Sequence, residues 1–478
     1  MNSVSDNVEW WKKVPCHFTW SLEDTNEDYK SLKINVEYKL ESWKEEHPSP
    51  PCQPLLFLGF LEVSKFKGLP RQNPVQAMNH FSNVVREAAE MTVEDERNAF
   101  LTVALANRIW SNEILSQSQE GEGNEDALQN SKYKTENDED LKRLKQLWSE
   151  KNELFEAYIE GIAVFALARL GPKNCKKAEE RCKKALEVIP TNPEWHYSLG
   201  CFIGRQIRCN LVSSRGGYNH IDDEVKCYEE ALRLDPDFDL ARCTLAQTLV
   251  KIPQRKREAV KQIEKVNENT CAMVVKKGRF YRFQKDYSKA LEILKKGESE
   301  FATPRGELFF QISMIYCTFA NNAKWDESSD VRNKNWQRQL EYTNKCLEVK
   351  PNHHLAMLQK ALTLENLRRN AEAEECFRNT IDTLEDTPNI SLQVKFRFAE
   401  YLTSLNRTQV IAEAAELYEN VISIALSILQ NADDDALDEA KTGIERYVMN
   451  SKSKLEEFHQ GNQSKMEDVK RMFANFHF

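Results

Sequence analysis

The chain has 478 residues, 41% of them hydrophobic and 29% charged, with a formal net charge of −9 and only 15 glycines and 15 prolines. That balance suits a soluble, helix-rich protein with a continuous apolar core, and it argues against a hairpin-rich fold and against a generally basic nucleic-acid coat. No apolar run reaches the length of about 18 residues that a bilayer needs, and the N-terminal MNSVSDNVEWWKK has no apolar signal core, so no membrane association is expected and the cytoplasm is the expected compartment.

The twelve cysteines are scattered without a C-x-x-C pair, which in a cytosolic chain points to buried thiols rather than disulfides or zinc ligands. Charge is unevenly spread. Residues 1–150 hold 17 Lys and Arg against 26 Asp and Glu, residues 151–300 hold 28 against 22, and residues 301–478 hold 21 against 27. The basic middle third can focus positive potential in a groove between acidic flanks.

In chain order, CHFTWSLED at Cys16–Asp24 precedes a helix expected from Asp28 to about Glu45, stopped by the prolines at 48, 50 and 51. Helices are expected over Pro54–Lys67, Pro74–Ala89 and Val93–Leu115, completing an N-terminal helical subdomain at 1–115. The segment 116–140, SQSQEGEGNEDALQNSKYKTENDED, is strongly acidic and nearly free of apolar residues, and is expected as a flexible, solvated insertion.

Helical patterning resumes at Leu141. Within EGIAVFALARLGPKNCKKAEERCKKALEVIPTNPEWHYSLG (160–200), one helix ends at Gly171-Pro172, a second spans Cys175–Val188, and a third opens at Glu194-Trp195. With Ala178 as phase marker, the same place recurs at Glu224, Ala259, Ala290, Gln339 and Ala373. The steps are 46, 35, 31, 49 and 34 residues, three of them near the 34-residue tetratricopeptide period. The two long steps contain expected loop insertions at Asn210–Asp222 and Asn321–Asn335. The endings KKALEVIP, EEALRLDP and NKCLEVKP repeat the same helix-to-turn signal. The fold class is therefore all-α, a tetratricopeptide-repeat superhelical solenoid, with central basic repeats at 141–320, C-terminal repeats at 336–430 and a helical cap at 431–478.

No phosphate-binding glycine loop, dinucleotide fingerprint, zinc-protease motif or nucleophile elbow occurs. A non-catalytic binding platform without metal or cofactor is expected. The groove of a helix-pair solenoid is lined mainly by the first helix of each repeat, where Phe165, Arg169, Arg205, Arg208, Arg242, Lys276, Lys277, Arg279, Phe280, Tyr281, Arg282, Phe309 and Phe310 fall. Arginine grips phosphate with two prongs and aromatics stack on bases, so the set suits a single-stranded, phosphate-bearing ligand. An adaptor binding helical or acidic peptides through the repeats is the alternative.

CHFTW with Leu22, ALARLGPKN at Ala166–Asn174, the KKALEVIPTNPE turn and RFYRFQKDYSKALEILKKG at Arg279–Gly297 resemble the interferon-induced proteins with tetratricopeptide repeats, in order, over most of the chain. The resemblance implies cytosolic RNA-binding proteins of antiviral innate immunity that hold the 5′ end of foreign single-stranded RNA, as a triphosphate or an incompletely methylated cap, in a positive pocket. It also implies protein partners or self-association for some members, and neither DNA nor membrane as a partner. By that resemblance Arg169 and Arg205 meet phosphates and Phe165 is the aromatic near the cap; Lys276, Arg279 and Arg282 are expected as further RNA contacts from their residue types on a groove-lining helix. Other positions differ from the family pattern: Asn35 and Lys39 stand where arginine and glutamine are expected, Cys175 and Leu240 where tyrosines are, Val275 for an arginine, and Phe310 for a histidine.

Overall fold

Each apolar stripe of the repeats is too narrow to be buried by a single helix, so burial requires that consecutive helices pack in pairs and that pairs stack. The computed structural model describes residues 10–20, 22, 29–47, 49–64, 72–119, 127–171, 174–208, 217–302, 305–322, 329–384, 388–405, 408–431, 437–460 and 463–473. Among them every regular element is helical. The helices are α1 (Tyr29–Glu46), α2 (Cys52–Leu61), α3 (Pro74–Ala88), α4 (Glu94–Gln119), α5 (Ala127–Ser149), α6 (Glu153–Leu167), α7 (Cys175–Val188), α8 (Pro193–Arg208), α9 (Gly217–Leu234), α10 (Asp239–Leu249) and α11 (Lys256–Glu264). They continue as α12 (Cys271–Phe283), α13 (Tyr287–Glu300), α14 (Gly306–Asn322), α15 (Ser329–Val349), α16 (His354–Asn366), α17 (Asn370–Thr383), α18 (Pro388–Ser404), α19 (Thr408–Asn431), α20 (Leu437–Phe458) and α21 (Gln463–Phe473).

The chain divides into two compact units, Met1–Arg208 with Val212–Gln262, and Ile263–Phe478. In the first, Trp43, Phe57, Phe60, Phe81 and Phe155 are fully buried, each such side chain contributing roughly 1.5–3 kcal/mol. CHFTW belongs to this core. His17 lies between Trp20 and Phe60, its ring pairs with Asn107 at 3.0 Å, and burial holds it neutral by pushing its pKa down to about 3. In the second unit Phe377, Phe398, Tyr401 and Tyr418 form the centre of the core.

The repeat phase holds throughout. Ala178, Glu224, Ala259, Ala290, Gln339 and Ala373 all lie on second helices and are all buried. Small residues let the paired helix approach; at Glu224 the carboxylate instead accepts hydrogen bonds from Tyr228 at 3.2 Å and Thr248 at 3.0 Å. The turns begin helices as expected. Asn192 caps α8 by accepting from the Trp195 amide at 3.1 Å, and His353 caps α16 by accepting from the Ala356 amide at 3.2 Å.

Three expected loops are shorter than their composition suggests. The acidic segment 116–140 is helical at both ends: α4 continues to Gln119, residues 120–126 lie outside the described residues, and α5 covers the remainder. The end of that segment is anchored where Asp140 meets Arg108 at 3.0 Å and Leu144 is buried. The insertion at 210–222 narrows because α9 begins at Gly217, and that at 321–335 because α15 begins at Ser329; residues 209–216 and 323–328 lie outside the described residues. Helix α2 ends at Leu61 rather than Lys67, and residues 65–71 lie outside the description. No described helix is long and apolar enough to cross a membrane.

One close approach positions the candidate site. A Cβ placed on Gly161 of α6 would lie 2.6 Å from the indole of Trp195 on α8. A Gly161→Val substitution is expected to lower stability by about 1–3 kcal/mol through overpacking. Thermal unfolding followed by circular dichroism checks this, and an unchanged midpoint would show that α6 and α8 tolerate wider spacing.

Candidate functional site

Helix α6 ends at Leu167 because the chain turns at Gly171, whose φ of 83° is a left-handed conformation suited to glycine. Its last turn leaves carbonyls without intrahelical partners. Two arginines take them. Arg169 donates to the Phe165 carbonyl at 2.8 Å, and Arg205, arriving from α8, donates to the Ala168 carbonyl at 2.6 Å. A guanidinium has five N–H donors, so each keeps most of its donors after this tether.

The two cations face each other without compensation. Burial, and next the charge of Arg205, push the Arg169 guanidinium down to about 9, which still leaves it protonated at neutral pH. Among the described residues neither arginine forms an ion pair with a carboxylate. Arg181, by contrast, meets Glu160 at 2.9 Å, and Arg255 meets Glu229 and Glu258 at 2.7 Å.

Arg169 and Phe165 border a cavity of about 230 Å³ with Lys39 and Trp43 of α1, with His47 just after it, and with Glu194, Trp195, Tyr197 and Cys201 of α8. Its aromatic lining comes from Trp43 of α1, His47 just after α1, Phe165 of α6 and Trp195, Tyr197 and Phe202 of α8: Trp43 and His47 stack at 4.0 Å with 17° between planes, and Trp43 meets the edge of Phe165 at 5.8 Å. Lys39 pairs with Glu46 and lies 5.9 Å from the Trp43 ring. His47 Nδ1 is 3.5 Å from Glu194, whose carboxylate also accepts from Ser49 at 3.3 Å. Burial holds the Tyr197 hydroxyl well above its ordinary pKa, so it remains a neutral donor.

The structure thus brings Phe165, Arg169 and Arg205 together, with Phe165 placed differently from the stacking role expected of it. Phe165 is buried and its ring carries the Arg169 guanidinium at 3.3 Å, so that face positions the cation rather than lying open to a base. Trp43, His47 and Glu194 are pocket residues that sequence reasoning passed over; the i, i+4 spacing of Trp43 and His47 was the available signal. Lys276, Arg279 and Arg282 lie on α12 in the second unit. Other groove candidates are interior. Phe280, Tyr281 and Phe309 are core, Lys277 is buried against the Val266 carbonyl and Glu268, and Arg242 is tied to Asp239 at 3.4 Å. At the differing positions, Cys175, Leu240, Val275 and Phe310 are all buried, and the Phe310 ring lies 4.7 Å from that of His353, tilted by 37°. The side chains of Asn35 and Arg208 lie outside the described residues. Among the described residues no group of three or more His, Cys, Asp or Glu is placed to hold a metal ion.

This fold and pocket define a helix-pair repeat protein with a tethered, uncompensated arginine pair. No protein-family profile matches the chain. Its sequence is 24% identical over 391 residues to the antiviral innate immune response effector IFIT1 of Homo sapiens, covering 80% of this chain and 75% of that protein. It is 23% identical over 321 residues to human interferon-induced protein with tetratricopeptide repeats 2, covering 66% and 60%. Among solved structures, human IFIT1 as a dimer with PPP-AAAA superposes with a TM-score of 0.55 at 20% identity over 97% of both chains, and human IFIT1 with m7Gppp-AAAA with 0.53 at 18%. The chain has the tetratricopeptide-repeat solenoid fold. Its sequence is similar to interferon-induced proteins with tetratricopeptide repeats over most of its length.

A second cavity shares Trp43, Gln53, Gly161, Glu194 and Trp195 with the first and is bordered by Glu96. Burial, and then the like charge of Glu194, raise Glu96 from 4.5 to about 7. An acid whose pKa is raised on folding stabilises the fold when protonated, and that contribution is lost as pH rises between the unfolded and folded values. Wild type should therefore lose on the order of 1–2 kcal/mol relative to Glu96→Gln between pH 4.5 and pH 7. Denaturant titrations of both proteins at the two pH values check this, and a pH-independent difference would contradict it.

Proposed function

We propose that this is a non-catalytic, cytoplasmic tetratricopeptide-repeat protein of innate antiviral defence that binds the 5′-phosphorylated end of foreign single-stranded RNA in the α1–α6–α8 pocket. The observation that carries the reading is the pair Arg169 and Arg205, both held by backbone carbonyls at the end of α6, with Arg169 bordering the cavity and neither having a carboxylate partner among the described residues. Folding against that repulsion is unfavourable unless an anion relieves it, and a polyphosphate offers the geometry that forked guanidinium donors match. The tethers fix both side chains before binding, which lowers the ordering cost on association. Trp43 and His47, stacked on each other, line one side of the cavity, beside which the first nucleotide would lie. The similarity to human IFIT1, solved with PPP-AAAA and with m7Gppp-AAAA, supports the same ligand class for this chain. Human IFIT1 was also solved as a dimer, and self-association of this chain is proposed on that likeness.

Each phosphate neutralised releases counterions, so affinity should fall linearly with the logarithm of salt concentration. With charge-assisted hydrogen bonds worth about 1.5–3 kcal/mol each, an Arg169→Glu/Arg205→Glu double variant should bind 5′-triphosphate single-stranded RNA at least about 100-fold more weakly. Its salt slope should be shallower by roughly 1–2 units. Fluorescence anisotropy with labelled RNA at several salt concentrations measures both. Equal binding by the variant, or no wild-type binding at low salt, would overturn the reading in favour of a protein-binding scaffold.

A further inference from the structure

We infer that the second unit carries a site for a zwitterionic α-amino acid in the groove between α18 and α20, with Glu400 taking the ammonium group, Lys454 the carboxylate, and Phe396 and Tyr418 the side chain. The inference is independent of the RNA-binding reading.

Helices α18 and α20 both pack on α19 and border a cavity of about 430 Å³. Small-molecule sites typically span about 300–1,000 Å³. One wall is the C-terminal end of α18, where Glu400, Thr403 and Ser404 border the cavity. The Thr403 hydroxyl donates to the Ala399 carbonyl and the Ser404 hydroxyl to the Tyr401 carbonyl, each at 2.7 Å, so both keep lone pairs for a ligand. With the Glu400 carboxylate and the negative end of the helix dipole, this wall accepts hydrogen bonds and attracts a cation. The other wall is α20, where Asn450, Ser453 and Lys454 supply an amide, a hydroxyl and an ammonium group. That wall can donate to an anion.

The base of the cavity is aromatic. Phe396 and Tyr418 have ring centroids 6.0 Å apart with 69° between planes. Tyr418 is buried, yet among the described residues its hydroxyl has no hydrogen-bond partner. Its neighbour Thr403 has already given its proton to Ala399. Burial keeps the Tyr418 hydroxyl protonated, a donor suited to a ligand carboxylate. A buried hydroxyl without a partner is unfavourable, and a polar ligand in the cavity relieves it.

The charges around the cavity balance. Glu400 accepts from Arg397 at 2.7 Å, and Lys454 donates to Glu457 at 2.7 Å, both solvent-exposed pairs within one helix. Such pairs hold weakly, and a carboxylate and an ammonium group can each bond to more than one partner. Two cations and two carboxylates do not suit a polyanionic strand; they suit a ligand with one charge of each sign. An internal peptide segment carries neither charge on its backbone, and a chain end carries only one. The ligand assigned is thus a free amino acid, with an apolar or aromatic side chain to cover the two rings.

Isothermal titration calorimetry of the full chain with L-phenylalanine at neutral pH tests the site. Two comparison ligands are 3-phenylpropionate, which lacks the ammonium group, and phenethylamine, which lacks the carboxylate. L-Phenylalanine should bind at millimolar concentration, and each comparison ligand about ten-fold more weakly. Glu400→Gln should weaken L-phenylalanine about ten-fold without weakening 3-phenylpropionate, and Lys454→Met should do the same without weakening phenethylamine. Tyr418→Phe should weaken L-phenylalanine about five-fold, with circular dichroism showing the fold retained. No heat of binding with wild type, or unchanged affinity in both charge variants, overturns the inference. Equal affinity for 3-phenylpropionate would reassign the site to carboxylates, and equal affinity for phenethylamine to amines; either overturns the zwitterion assignment. Binding of 5′-triphosphate RNA is measured separately, so failure of one ligand leaves the reading of the other standing.

Discussion

The pocket depends on how α6 meets α8. At Gly161 the absence of a side chain lets the Trp195 indole lie against the α6 backbone, and this approach brings Arg205 to the open carbonyls at the end of α6. Those carbonyls carry the negative end of the helix dipole, which partly offsets the cost of placing a second guanidinium beside Arg169. Helix ending, repeat stacking and the candidate pocket are therefore one arrangement. Loosening the α6–α8 contact would separate the arginines even with both residues unchanged.

Electrostatics sets this site apart from the remaining surface. Many arginines and lysines of the described helices form i, i+3 or i, i+4 ion pairs, such as Arg233 with Glu230 and Arg369 with Glu372, which are worth little and only decorate a solvated helix. Arg169 and Arg205 instead bond to backbone oxygen and repel one another. The net charge of −9 does not conflict with binding an anion, because the potential in a concave pocket is set by nearby fixed charges more than by the total.

The repeat architecture was legible in the sequence because burial imposes a period. A small or hydrogen-bonded residue is needed wherever paired helices approach, and Ala178, Ala259, Ala290 and Ala373 satisfy that need. The two arginines were legible through family resemblance and residue type. Which aromatic faces solvent was not. In RFYRF three aromatic residues crowd five positions, and only the path of α12 against its neighbours decides that Phe280 and Tyr281 are interior and Phe283 is not. Phe165 misled for a related reason: composition identifies a stacking surface without showing that Arg169 already lies over it. The acidic segment 116–140 misled because composition speaks to average burial, whereas one anchored end, Asp140 on Arg108, extends helix into polar sequence.

The central claim is that Arg169 and Arg205 hold the phosphates of an RNA 5′ end. A crystal structure of the protein with a 5′-triphosphorylated oligoribonucleotide tests it most directly. The account predicts phosphate oxygens within hydrogen-bond distance of both guanidinium groups, the tethers to the Phe165 and Ala168 carbonyls kept, and the first nucleotide beside Trp43 and His47. Phosphates bound elsewhere, with the α1–α6–α8 cavity free of RNA, would contradict it.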